Sequence, residues 1–237
     1  MLESENASTP TVNYARARFY VALEVAAVCL ILVLCSLRAQ GAPPGPGSGS
    51  PAPKKDVSGK LRSAKALDRL RAAEDLRELA AQAPPADIEA AYRGEKNVQV
   101  RYSLLQGLAS QAPAQGVVLL AEALSRDPAV IVRVVAAQEL ARFDEPAAAG
   151  ALAAAAAADQ DADVRKACLS SLGLQRSSGT IEALSLAATD PDPEIRKHAA
   201  LGLSRQPKGP AVDRALDELE KDPDPRVKAK AKAWRKR

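Results

Sequence analysis

Histidine, cysteine, tryptophan and methionine are nearly missing from this chain of 237 residues. It holds one His, three Cys, one Trp and one Met, and only 3% of its residues are aromatic. A single histidine, His198, puts most acid–base and metal-ligand constellations out of reach. The cysteines Cys29, Cys35 and Cys168 have neither a disulfide framework nor zinc spacing. Cys29 and Cys35 fall in an apolar run, and Cys168 reads as a small buried hydrophobe. There is no glycine-rich phosphate loop and no nucleophile elbow. No catalytic residue, no metal site and no cofactor is therefore expected. The scarcity of rings also argues against a bulky globular core or a sheet. The apolar content, 47% of the chain and mostly Ala, Leu and Val, suits closely packed helices.

What the chain has in abundance is repetition. Arg69, Arg101, Arg133, Arg165, Arg196 and Lys228 hold one recurring place, at steps of 32, 32, 32, 31 and 32 residues. A fixed period of this size marks a stacked array of supersecondary units. Counting from that anchor, offset −1 is Val100, Val132, Val164, Ile195 and Val227, with Asp68 breaking the rule in the first copy. Offsets +3 and +4 are Ala72-Ala73, Leu104-Leu105, Ala136-Ala137, Cys168-Leu169 and Ala199-Ala200, and offset +7 is Leu76, Leu108, Leu140, Leu172 and Leu203. These offsets share one helical face, so each copy carries an amphipathic helix. Glu95, Asp127, Asp159, Asp190 and Asp222 stand at −6, and Asn97, Asp161, Asp192 and Asp224 at −4, where short acceptors cap helices. Asp-Pro pairs stop the preceding helix.

The motif Asp-x-Asp-x-x-(Val/Ile)-Arg-x-x-Ala-Ala-x-x-Leu, at 190–203, 159–172 and less fully 127–140, resembles the HEAT repeat. Within that family it is similar to the short, Ala-rich bacterial type related to phycobilin-lyase repeats. The resemblance covers roughly residues 60–237. It implies an all-α fold, a right-handed α-solenoid of stacked helix pairs whose second helices line the concave face. It also implies a hydrogen-bonded ladder in which Asp127/Arg133, Asp159/Arg165 and Asp190/Arg196 are the rungs. Ser63 replaces the acid in the first copy, so no rung is expected there, and Lys228 loses bidentate geometry in the last. The family contains many non-enzymatic proteins, so the likeness does not make this chain a lyase.

Proline placement divides the array. One long helix is expected from Lys60 to about Gln82, then pairs near 85–93 with 97–110, 114–125 with 129–142, 146–157 with 161–174, 179–188 with 193–204, and 210–221 with 224–236. Residues 1–18 read as a disordered tail. Residues 19–37 form an apolar run with one charge, Glu24, which reads as a transmembrane helix. The rival is a cleaved signal sequence, since the stretch from Val25 to Leu37 is only 13 residues long. Residues 38–59 form a Pro/Gly/Ser-rich linker with a reach of about 50–60 Å. The fold expectation is thus one membrane helix, a tether, and the array at 60–237. The chain is read as single-pass in the membrane, with the array outside the cytoplasm.

Two features rise above the repeat. Opposite the core stripe most copies are polar, but Tyr102, Gln106, Ile131, Val134 and Val135 break that pattern and mark a candidate protein-docking patch. Contact with flanking helices is the alternative reading. The other feature is the tail, with Arg226, Lys228, Lys230, Lys232, Arg235, Lys236 and Arg237 and no acid. It suits a polar terminal cap, and it could also meet nucleic acid or anionic lipid. Residues 42–225 hold 23 basic and 26 acidic side chains, which with the lack of interleaved aromatics argues against nucleic acid. The functional expectation is a membrane-tethered scaffold for an unidentified protein partner, without catalysis. The alternatives are a nucleic-acid binder using the tail and a lyase-like or assembly-factor protein.

Overall fold

The computed structural model describes residues 55–79 and 81–235. They fall in one compact unit, Pro53–Arg237. The expected tail at 1–18, the span at 19–37 and the linker up to residue 54 lie outside the described residues. Among the described residues, no helix is long and apolar enough to cross a membrane.

The described residues form twelve helices and one pair of two-residue parallel strands, β1 (Lys55–Asp56) and β2 (Ala81–Gln82). The helices are α1 (Ser58–Leu61), α2 (Ala66–Arg77), α3 (Pro85–Gly94), α4 (Val98–Gln111), α5 (Pro113–Arg126) and α6 (Val130–Leu140). They continue with α7 (Pro146–Ala158), α8 (Ala162–Leu172), α9 (Thr180–Ala187), α10 (Pro193–Ser204), α11 (Pro210–Leu219) and α12 (Pro225–Arg235). Proline supplies the first residue of six of them, where its missing N–H costs nothing. The five pairs from α3 onward match the proline-based division within a few residues.

The first segment differs. Instead of one helix over 60–82, α1 is a single turn and α2 starts again at Ala66. Ser63 causes the break. Its hydroxyl accepts the Lys65 N–H at 3.2 Å and donates to Asp68 at 3.0 Å, an alternative to helix continuation. Leu79, at φ 57°, then turns the chain into β2.

Two layers result. The second helices of each repeat, α2, α4, α6, α8, α10 and α12, each pack on the next, and α5, α7, α9 and α11 pack in series beside them. The core lies between the layers. The residues at −1 in the last five copies, and those at +3, +4 and +7, are at most 1% exposed. No pair can bury its own apolar face, so the stacking supplies the core. The Ala-rich α7 buries Ala148, Ala149, Leu152 and Ala156. Caps form as the offset −4 pattern requires: Asn97 accepts from Gln99 and Val100, Asp161 from Asp163 and Val164, and Asp192 from Glu194.

Candidate docking face and the arginine ladder

The ladder is present, but its rungs connect different residues from those the resemblance implied. Four of the five anchor arginines grip a carboxylate 26 residues ahead, in the next repeat. Arg101 Nε and Nη2 donate to Asp127 at 2.8 and 2.9 Å, and Arg133 does the same to Asp159 at 2.8 and 3.0 Å. Arg196 holds Asp222 at 2.6 and 2.9 Å. The third nitrogen, Nη1, turns back to the carbonyl six residues earlier: Arg133 to Asp127 O, Arg165 to Asp159 O and Arg196 to Asp190 O, at 2.8–3.0 Å. So Asp127 and Arg133, and likewise Asp190 and Arg196, meet through the backbone and not through the carboxylate.

This geometry rescues the first copy. Ser63 offers only its carbonyl, at 2.8 Å, and Arg69 finds its carboxylate in Glu95 at 2.6 and 3.0 Å. The first copy thus has a rung of the inter-repeat kind. The fourth copy has none: among the described residues no ion pair joins Arg165 to Asp190. The interval from Arg165 to the next anchor is 31 residues and not 32, so Asp190 stands 25 residues ahead. Its Oδ1 instead accepts the Asp192 N–H at 2.8 Å.

The rungs are buried and electrostatically set. Burial pushes the Asp127 carboxyl up, but hydrogen bonds from Arg101, the Ala129 N–H and the Tyr92 hydroxyl outweigh it and hold the group below the usual carboxylate range. Asp159 is held low in the same way, its burial outweighed by Arg133. For Glu95 and Asp222 the arginine hydrogen bond is the foremost cause of the same direction. Burial and the bond to Asp127, 2.9 Å long, keep the Tyr92 phenol protonated far above its ordinary range.

A second ladder went unread in the sequence. Glutamine recurs at offset +10 as Gln111, Gln175 and Gln206. Each side-chain amide donates to carbonyls at the end of the preceding second helix. Gln111 reaches Leu76 O and Ala81 O at 3.1 and 3.0 Å, and Gln175 reaches Leu140 O and Phe143 O at 2.9 Å each. Gln206 reaches Leu172 O, Gly173 O and Gln175 O at 3.2–3.4 Å. These groups satisfy orphan helix-end carbonyls. The recurrence was visible, but Phe143 and Leu79 interrupt it in two copies.

The five candidate docking residues lie on adjacent second helices, α4 and α6. Ile131 is 42% exposed, while Tyr102 and Val134 are partly buried and packed on the core. Val135 is half-buried. Flanking contact and partial exposure thus coexist at these positions. Gln106 is engaged: its amide donates to Glu139 at 2.8 Å, and Glu139 also accepts from Arg142 at 2.8 Å. The patch extends further than the sequence reading placed it. Leu67 and Leu70 on α2 occupy the same offsets as Ile131 and Val134, and Leu67 is 56% exposed. The signal was there at −2 and +1 of the first copy. On α8 and α10 the same offsets are charged and self-paired, Lys166 with Asp163 and Lys197 with Glu194.

The family model for HEAT repeats matches residues 85–173 and again 151–233, together more than half of the chain. The chain belongs to the HEAT-repeat family. No curated protein matches it. Among solved structures, an engineered protein is 22% identical, with 74% of this chain and 92% of that chain covered and a TM-score of 0.46. The complex of CpcE and CpcF of phycocyanin lyase from Nostoc is 18% identical, covering 80% of this chain and 79% of that chain at a TM-score of 0.49. A designed armadillo repeat protein is 16% identical, covering 75% of this chain and 96% of that one at a TM-score of 0.44.

Cys168, His198 and the basic tail of this HEAT array as far as Arg235 lie on α8, α10 and α12. Burial pushes the Cys168 thiol up to about 12, which denies it thiolate character. His198 is half-buried, with Nδ1 2.8 Å from Glu194 O. In the tail, Arg226 pairs with Asp224 at 2.8 Å and with Glu194 at 3.2 Å, and holds the Asp224 carboxyl down at about 2. Lys228 is half-buried, and Lys230 and Lys232 are exposed. The side chains of Arg235, Lys236 and Arg237 lie outside the described residues.

Proposed function

We propose that this HEAT-repeat chain is a non-catalytic scaffold, tethered to a membrane, that docks a protein partner on the face of its second helices. One observation carries the reading. Leu67, Leu70, Tyr102, Ile131, Val134 and Val135 interrupt an otherwise polar, self-paired face on three consecutive second helices. A contiguous apolar patch rimmed by charge is the usual composition of a docking surface. The tether is the apolar run at 19–37 followed by the Pro/Gly/Ser-rich linker, and it sets the array on the extracytoplasmic side.

The test is a pull-down from native membranes in mild detergent with the full-length chain. Val134→Asp and Tyr102→Ala are expected to weaken capture of a stoichiometric partner by about five- to thirtyfold, what a loss of about 1–2 kcal/mol at the interface gives. Circular dichroism should show the helical array of both variants intact. Undiminished recovery by both folded variants would refute the patch as the docking site.

A further inference from the structure

The last helix, α12, balances its surface charge differently from the other second helices. On α8 and α10 a half-buried lysine is paired with an acid three residues earlier, Asp163–Lys166 and Glu194–Lys197. On α12 the acids are gone: from Pro225 to Arg237 there are seven basic residues and no Asp or Glu. Arg226 is engaged by Asp224 and Glu194. Lys230 and Lys232 are exposed, Lys228 is half-buried, and none of the three joins an ion pair among the described residues. Val227 and Ala231 bury the opposite side of the helix.

Stability accounts for only part of this charge. An end cap needs polar residues, not a single sign. The helix dipole favours cations in the last turn, where Lys232 and Arg235 stand, yet Arg226 and Lys228 stand in the first, beside the positive end. The excess is therefore available to an external polyanion.

We propose that α12 docks the array onto an anionic lipid surface. Lys228, Lys230 and Lys232 advance by about 200° per step around the helix, so their charge is spread over the solvent side and not gathered in a stripe. A broad cationic face matches the diffuse potential of a leaflet. The residues between the lysines are Ala229 and Ala231, and Trp234 is the one aromatic ring of the helix, so there is no series of rings to form the stacking platform that single-stranded nucleic acid uses. The body of the array, with 26 acids against 23 bases over residues 42–225, repels a polyanion that tracks along it. The proposal deepens the tethered reading and rests on it for the presence of a bilayer.

Trp234 is the only tryptophan in the chain, so its fluorescence reports on this helix alone. The full-length chain is reconstituted in vesicles of phosphatidylcholine alone or with about one third phosphatidylglycerol, both carrying brominated acyl chains. Quenching of Trp234 is expected with phosphatidylglycerol and not without it. Each basic residue biases a segment toward an anionic leaflet by about fivefold, so Lys230→Glu with Lys232→Glu should abolish the effect. Lys230→Arg with Lys232→Arg should preserve it. Equal quenching in neutral vesicles, or lipid-dependent quenching that survives the glutamates, would overturn the proposal. Loss of quenching on adding short duplex DNA at charge equivalence would overturn it in favour of nucleic acid. If the chain fails to float with neutral vesicles while Trp234 is still quenched by anionic ones, the anchor at 19–37 fails and the docking stands.

Discussion

Arg101 and Asp127 show how far a single residue can be read without its neighbours. The Asp127 side chain is 2% exposed and accepts from Arg101, Tyr92 and the Ala129 N–H. Asp127→Ala leaves a buried guanidinium and a buried phenol uncompensated, and should cost about 3–5 kcal/mol in urea unfolding. Asp190→Ala, at the equivalent position of a later repeat, removes only a capping hydrogen bond and should cost about 0.5–1.5 kcal/mol. Equal costs would show that the rung between Arg165 and Asp190 is made in solution. In the sequence these two aspartates look alike, because the motif displays the spacing of six and hides the spacing of 26. The residues of the ladder were therefore legible, while their partners were not. A rung between repeats depends on how one repeat sits on the next, and a single lost residue shifts that seating.

Elements followed the sequence more closely, since helix ends are set by local chemistry. Prolines and Asp/Asn caps set the starts of α3 to α12 except α6 and α9, which follow Ala129 and Gly179. The missed element, the split of α1 from α2, turns on Ser63, whose hydroxyl competes with the helix in a stretch that has no Gly or Pro to announce a break. Packing between elements was less visible, because a glycine in a helix does not declare what it faces. Gly202 in α10 lies against α9: a Cβ there would meet Leu184 Cδ2 at 2.5 Å. Gly202→Ala should cost about 1–3 kcal/mol through overpacking. Gly150 in α7 has nothing within 4 Å, and Gly150→Ala should add about 0.5–1 kcal/mol. Chemical denaturation of the pair checks the placement, and a reversed order of stability would contradict it. The proposed docking patch was half legible for a related reason. Polar-face offsets located Tyr102, Ile131 and Val134, but Leu67 and Leu70 escaped because the first copy lacks the apolar residue at −1 and resembles the others least.

Across the whole molecule, the rungs couple stability to pH. Glu95, Asp127, Asp159 and Asp222 are all held below the usual carboxylate range in the folded array. The unfolded chain therefore binds protons first as pH falls, and the stabilisation present above about pH 4 is lost as pH drops through the folded values. The urea midpoint should hold from neutral pH to about pH 5 and decline below about pH 4, whereas an unchanged midpoint at about pH 3 would contradict it. The proposed function depends on which face of the array meets a partner. Ile131 stands on the second-helix face, and Val118, on α5 in the first-helix layer, is more exposed at 68% against 42%. The most direct measurement is photo-crosslinking in native membranes from a reactive residue placed at 131 or at 118 of the full-length chain. The account predicts a single protein adduct from position 131, lost with Val134→Asp, and none from 118. An adduct from 118 alone, or from 131 undiminished by Val134→Asp, would contradict docking on the second-helix face.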